Sequence, residues 1–251
     1  MGRRLYSTAF WVFVALSSVV LFVVAALLWV VTAPFDRRRV VQHRFTCWWA
    51  SLYTWLNPWW PVTVTGRDTI DPRQTYVMVA NHLSLLDILV LFRLRRHFVW
   101  VSKIENFRVP FIGWNMRLAG YVPLKRGDRA SVQAMLKACE TKLQQGTSIM
   151  MFPEGTRSRT GQLQAFKPGA FDLALRMGVP VLPIVVEGTA HALPKRGFVL
   201  QGRHPIRITV LDPIPPSAFE GLTAGQLADR THQIFAARLG SEPVRPKGMA
   251  G

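Results

Sequence analysis

The chain opens on a long apolar run and then changes period twice. From Leu5 to Phe35 there is no charged residue, while Arg3 and Arg4 precede the run and Arg37, Arg38 and Arg39 follow it. A bilayer span needs about 20 apolar residues, so this run is long enough to cross with tilt. A cleavable signal would carry a shorter apolar core of about 7–15 residues and a small-residue junction. Here Pro34 follows Ala33, so a retained membrane segment is the expectation. The next stretch, residues 40–60, repeats apolar residues at three- and four-residue spacing: Phe45, Trp48, Trp49, Leu52, Trp55 and Leu56. Gln42, Thr46, Ser51 and Thr54 lie off that stripe, which makes an amphipathic helix. Five of the nine tryptophans fall between residues 48 and 60, the residue type that favours the headgroup layer. The stripe either lies in the membrane interface or packs on a soluble core.

Beyond residue 60 short β-prone runs alternate with helical patterns. Strands are predicted at 62–65, 76–80, 98–102, 120–123, 148–152, 179–186 and 206–210, and helices at 85–94, 128–145, 169–177 and 223–239. Asp128 and Gly146 bracket the second helix, and Gly178 closes the third. Such alternation predicts an α/β fold, a mostly parallel sheet flanked by helices, preceded by the N-terminal membrane-associated helical segment. The expected division is 1–60 membrane-associated, 61–240 α/β domain and 241–251 flexible tail. Ligands in such sheets bind beyond the carboxyl ends of the strands, so residues just after each strand are the candidates for chemistry.

Two strand ends stand out. After 76–80 comes Asn81-His82-Leu83-Ser84-Leu85-Leu86-Asp87. Five residues apart on a regular helix, His82 and Asp87 would point about 140° apart. They meet only if His82 precedes the helix and Asp87 lies in its first turns. Asp87 would then fix the imidazole tautomer while the other ring nitrogen takes a proton. Ser84-x-x-Asp87 is equally a capping box, in which Asp87 closes the helix N-terminus and His82 is a turn residue. After 148–152 comes Pro153-Glu154-Gly155-Thr156-Arg157-Ser158. Gly155 allows close backbone approach, and Arg157 offers a planar fork for a phosphate. Glu154 would hold Arg157 or meet a substrate hydroxyl; a plain polar turn is the alternative. Lys103 and Arg126 also follow strands, as phosphate ligands or as solvated charges.

Composition narrows the partners. Lys plus Arg is 31 against 14 for Asp plus Glu, a net charge of +17, so the chain should seek phosphates: nucleic acid, an anionic membrane surface or phosphorylated small molecules. The apolar N-terminus and the lack of a nucleic-acid-binding motif point away from nucleic acid. Three arginines after the apolar run, with Arg44, outweigh the two before it, which places the C-terminal bulk on the cytoplasmic face, of the inner membrane if the source is bacterial. Two cysteines, Cys47 and Cys139, build neither a disulfide framework nor a four-thiolate zinc site, and no metal site has recognisable spacing.

In order along residues 61–215 these segments resemble the 1-acylglycerol-3-phosphate acyltransferase family. Asn81-His82 to Asp87 resembles a His-x4-Asp block. Lys103-x-Glu105 with Pro110-x-x-Gly113 resembles a second, Phe152 to Ser158 continuing through Phe166, Lys167 and Gly169 a third, and Val179 to Pro183 a fourth. Asn106 stands where leucine is more usual. The resemblance implies that His82 is a general base toward the free hydroxyl of a lysophospholipid acceptor, oriented by Asp87. It further implies that Glu154, Gly155, Thr156 and Arg157 line the acceptor site, with Arg157, Lys103 and Arg126 on its phosphate. The implied donor is acyl-coenzyme A or acyl carrier protein, a co-substrate rather than a cofactor, and transfer is direct, at an anionic membrane surface.

Overall fold

The central strands of this protein are apolar on both faces, and that dictates a sheet with helices on either side. The computed structural model describes residues 2–158, 160–195 and 197–240; the expected tail at 241–251 lies outside the described residues. In chain order the elements are α1 (Gly2–Thr32), α2 (Val40–Trp55), β1 (Val62–Thr65), β2 (Val77–Ala80), α3 (Leu86–Leu91), β3 (Phe98–Lys103) and α4 (Ile112–Leu118). There follow β4 (Val122–Leu124), α5 (Arg129–Gln144), β5 (Ser148–Met151), α6 (Gly169–Met177), β6 (Val181–Glu187), α7 (Thr189–Ala192), β7 (Ile206–Val210) and α8 (Ala224–Leu239).

The seven strands form one sheet in the order β1-β7-β6-β2-β5-β3-β4. Every residue of β2 and β5 is buried, as expected of strands covered on both faces. β4, β3, β5, β2 and β6 run parallel, so their carboxyl ends share one edge. β7 departs from the alternating pattern and pairs antiparallel with β6, Ile184 opposite Val210. The link between them, residues 188–205, carries among its described residues only the four-residue α7, so no long helix packs across the sheet as in a parallel crossover. α5, α6 and α8 lie together on the sheet, and α2 packs on α3. The predicted caps are in place: the Asp128 side chain accepts from Ser131 N at 3.0 Å, and Gly178 ends α6 at φ 59°.

The N-terminal segment is a helical hairpin, and its first helix is long and apolar enough to cross a membrane. α1, about 46 Å long at 1.5 Å per residue, exceeds the roughly 30 Å of a bilayer's hydrocarbon core. Only 11% of its most apolar window is buried, so it is not a core helix. Its inner stripe includes Ser18, Ala25 and Thr32, small residues at seven-residue intervals. The Ser17 and Ser18 hydroxyls reach Tyr53 Oη of α2 at 3.0 and 3.2 Å, and Phe22 meets Trp114 of α4 with ring centroids 5.4 Å apart. Leu16, Val20, Val23, Leu27 and Val31 are left exposed. In the turn, Asp36 accepts from Val40 N and Val41 N at 2.9 and 2.8 Å, satisfying the first amides of α2.

α2 is amphipathic as predicted, and it turns its polar side inward. Gln42, His43, Thr46, Ser51 and Thr54 are buried on the domain. Gln42 Nε2 donates to Asn115 Oδ1 at 2.8 Å, and His43 sits between Tyr121 Oη and the Arg96 carbonyl, 3.0 Å from each. Trp48, Trp55 and Leu56 are exposed instead, while Trp49 is buried.

Candidate active site

The residues after β2 do not enter the helix at once. Asn81, His82 and Leu83 form an extended link, and α3 begins at Leu86, so Asp87 stands in its first turn. This is the geometry that lets His82 and Asp87 meet. Asp87 Oδ2 lies 2.9 Å from His82 Nδ1 and also accepts from Leu83 N and Ser84 N, at 2.6 and 2.8 Å. The two readings of the heptad are therefore not rivals: one carboxylate closes the helix N-terminus and holds the imidazole. Asp87 Oδ1 accepts from Thr189 Oγ1 at 2.5 Å, so a fully buried carboxylate has four donors. With the proton on Nδ1, Nε2 keeps its lone pair, and no group among the described residues bonds to it.

Neighbouring strands fix the rest of the histidine. The Asn81 side chain bridges to β6, its Nδ2 donating to Val186 O and its Oδ1 accepting from Val186 N, both at 2.8 Å. The Phe152 ring lies flat on the imidazole, centroids 3.8 Å apart and 8° between planes. The 153–158 loop clamps the backbone of His82 from both sides: Glu154 Oε1 accepts from His82 N at 2.6 Å, and Ser158 N donates to His82 O at 2.8 Å.

Glu154, expected to hold Arg157 or contact substrate, is buried with its other oxygen accepting from Gln164 N and Nε2, at 3.3 and 3.0 Å. It braces His82, because its side chain turns under the loop toward β2. Burial pushes its carboxyl up to about 7, against the pull of those three N–H donors. Gly155 sits at φ 71°, and a Cβ there would come within 2.9 Å of Lys167 Nζ and 3.0 Å of its Cε, so the lysine stem crosses where a side chain would be. Thr156 is exposed, and its carbonyl accepts from Gln164 Nε2 at 3.0 Å. The Arg157 carbonyl accepts from Lys195 Nζ, while its guanidinium has no ion-pair partner among the described residues.

Lys103 ends β3 and Arg126 follows β4, so both stand on the edge that carries His82 and Glu154. Neighbouring strands are about 4.8 Å apart, which puts the end of β4 two strands, roughly 10 Å, from that of β5. Lys103 Nζ pairs with Glu105 at 3.1 Å; both are half exposed, and such a pair yields readily to a competing anion. Sequence reasoning missed Thr189, Gln164 and the stacking of Phe152. Thr189 follows β6 directly after Gly188, so the strand-end rule pointed at it without a motif to single it out.

A buried carboxylate–histidine pair with an open Nε2, on a strand edge lined by cations, is the equipment of an enzyme that moves a proton beside an anionic substrate. A family model described as Acyltransferase matches residues 61–187, half of the chain, and the chain belongs to that family. It is 39% identical to a 1-acyl-sn-glycerol-3-phosphate acyltransferase of Chlamydomonas reinhardtii, over 91% of this chain and 68% of the relative. It is 38% identical to the chloroplastic 1-acyl-sn-glycerol-3-phosphate acyltransferase LPAT1 of Arabidopsis thaliana, over 70% of this chain and 49% of the relative. The chain thus spans about two thirds of the algal relative and half of the plant one. The crystal structure of the acyltransferase PlsC from Thermotoga maritima has the same fold, with a TM-score of 0.76 at 23% identity, covering 98% of this chain and 99% of that one.

Proposed function

We propose that this protein transfers a fatty acyl group from acyl-coenzyme A or acyl carrier protein to the free sn-2 hydroxyl of a 1-acylglycerol-3-phosphate, giving phosphatidate. The observation that carries the reading is the pairing of Asp87 with His82 Nδ1, which leaves Nε2 as the free base at a cationic strand edge. Relatives named for this activity supply the acceptor.

His82 Nε2 removes the proton from the acceptor hydroxyl as its oxygen attacks the thioester carbonyl. Asp87 balances the imidazolium that forms. As the tetrahedral intermediate collapses, the carbon–sulfur bond breaks and the imidazolium returns the proton to the departing thiolate. Products are an ester and a free thiol. The transfer is direct: Cys47 and Cys139 are buried, and burial pushes both thiols up to about 12, so neither offers a thiolate nucleophile. The reaction needs no metal or cofactor. Arg157, with Lys103 and Arg126, holds the acceptor phosphate, and Gly155 and Thr156 line its approach. α1 and the outer side of α2 keep the enzyme at the membrane, with the site on the cytoplasmic face.

Detergent-purified protein given labelled oleoyl-coenzyme A and a panel of lysophospholipids tests this. Phosphatidate from lysophosphatidate, with Arg157→Ala raising the acceptor KM, is expected. Product from another headgroup alone would replace the acceptor. An unchanged KM and kcat in Arg157→Ala would remove Arg157 from the phosphate.

A further inference from the structure

A second concentration of cations stands at the opposite edge of the sheet, where α1 turns into α2. Arg38 and Arg39 come from the turn, Arg96 and His97 from the residues just before β3, and Lys142 from the last turns of α5. The six residues of β3, about 20 Å, separate this edge from the one that carries His82. Two glycines at positive φ, Gly120 and Gly146, lie against the long side chains. A Cβ on Gly120 would meet Lys142 Nζ at 3.4 Å and Arg39 Cγ at 3.7 Å, and one on Gly146 would meet Arg38 Nη1 at 3.3 Å. The Arg39 guanidinium also lies 5.3 Å from the ring centre of Trp29, in the last turns of α1, so the cluster sits where the apolar helix ends.

The cations have little to balance them. Asp36 is the acid that faces His97, and both its oxygens already accept from the first amides of α2. Glu140, on α5, pairs away from the cluster with Arg176 at 2.8 Å. Among the described residues Arg39 Nη1, Arg96 Nε and His97 Nε2 are buried with no hydrogen-bond partner. The neutral His97 ring donates to the Arg38 backbone, which leaves its Nε2 as an acceptor, so the unsatisfied donors are the two guanidinium nitrogens. Buried donors are ordinarily satisfied, and these, beside surplus positive charge, ask for an anion with several acceptor oxygens. His97 is pushed down to about 4 by burial and then by Arg38, and Lys142 is lowered by burial and then by Arg39. An anion at the cluster would relieve the charge repulsion behind both.

We propose that this cluster binds a phosphate, that of an anionic phospholipid headgroup, with Arg38, Arg39 and Lys142 as its cations and Arg96 as a further donor. The site holds the end of the hairpin at the level of the headgroups, and it stands apart from the acyl-transfer reading, since its readout is lipid retention rather than turnover.

Full-length protein in neutral detergent is loaded with dioleoyl phosphatidylglycerol, and retained lipid is counted by native mass spectrometry. Each surface cation contributes about 1 kcal/mol toward an anionic lipid, so Arg38→Gln with Lys142→Gln should lower retention at least about fivefold. Arg207→Gln, an exposed cation on β7, should leave it unchanged. Removing two mutually repelling charges should leave Tm in lipid-free detergent equal or higher, and phosphatidylglycerol should raise Tm in the wild type only. Arg38→Gln alone, an exposed position, provides the same comparison at smaller amplitude. Binding of inorganic phosphate with the same mutational loss but no lipid retention would keep the phosphate and move its source to solution. Equal lipid retention by the double variant and wild type, or an equal loss in Arg207→Gln, would overturn the site.

Discussion

Asp87 shows how one side chain serves fold and chemistry together. Its four donors tie the start of α3, the imidazole and the residue after β6 to one carboxylate. Thr189 is the side chain among them that lies away from the imidazole, on the other carboxylate oxygen, and in the proposed mechanism it would act by positioning. Thr189→Val keeps the shape and removes the hydroxyl, which should lower kcat roughly tenfold with little change in KM, while Thr189→Ser should restore most of it; a hydrogen bond to a charged group contributes about 1.5–3 kcal/mol. Equal activity of the Val and Ser variants would show that Thr189 only fills space. Glu154 makes a separate prediction. Its carboxyl is raised from about 4.5 unfolded to about 7 folded, so the native state holds the proton more tightly. Stability from this group therefore falls as pH rises from about 4.5 to 7, by at most about 3 kcal/mol. The Tm of wild type should decline over that window more steeply than that of Glu154→Gln, and parallel slopes would contradict the assignment. The His82–Asp87 contact was legible in the heptad because it follows a strand. The role of Glu154 was not, since sequence order cannot tell which way a loop carboxylate turns.

At the scale of elements, helix periods, caps and strand positions could be read because each depends on local side chains: Asp128 and Gly178 mark ends that the backbone respects. α4 escaped notice. It has only seven residues, and Phe111 before it sits at φ 61°, a turn no residue type announces. The antiparallel β6–β7 pairing escaped for a different reason, because the alternation rule does not see how short α7 is. α2 is the instructive case. Its stripe was legible, and which side faced the protein was not, because an aromatic face suits a core and a membrane interface equally. The buried partners of Gln42, His43 and Thr46 decide it: hydrogen bonds draw the polar side inward and leave Trp48 and Trp55 outside. Trp48→Ser with Trp55→Ser should weaken binding to phospholipid vesicles several-fold without altering Tm, since these rings contribute to binding at the headgroup layer. Unchanged vesicle binding would mean that this side of α2 points away from the bilayer.

At the scale of the molecule, charge and topology cooperate. The net charge is +17, and cations gather at two edges of the sheet, Lys103 and Arg126 on the edge of His82 and Arg38, Arg39 and Lys142 beneath the hairpin. A parallel sheet collects strand ends on one side, so His82, Asp87, Lys103, Arg126 and Arg157 share one edge although they are scattered from residue 82 to 157. In the proposed reaction this surplus of positive charge would favour encounter with an anionic acceptor, an anionic donor and an anionic surface alike. Acceptor specificity and orientation in the membrane belong to this scale and are not written in any one motif. The central claim is that His82 is the base of a direct transfer. The initial rate of phosphatidate formation by purified His82→Ala, beside wild type of equal Tm and equal vesicle binding, tests it most directly. Loss of a general base should lower the rate about 10²–10⁴-fold. A variant that keeps half the wild-type rate would contradict the account.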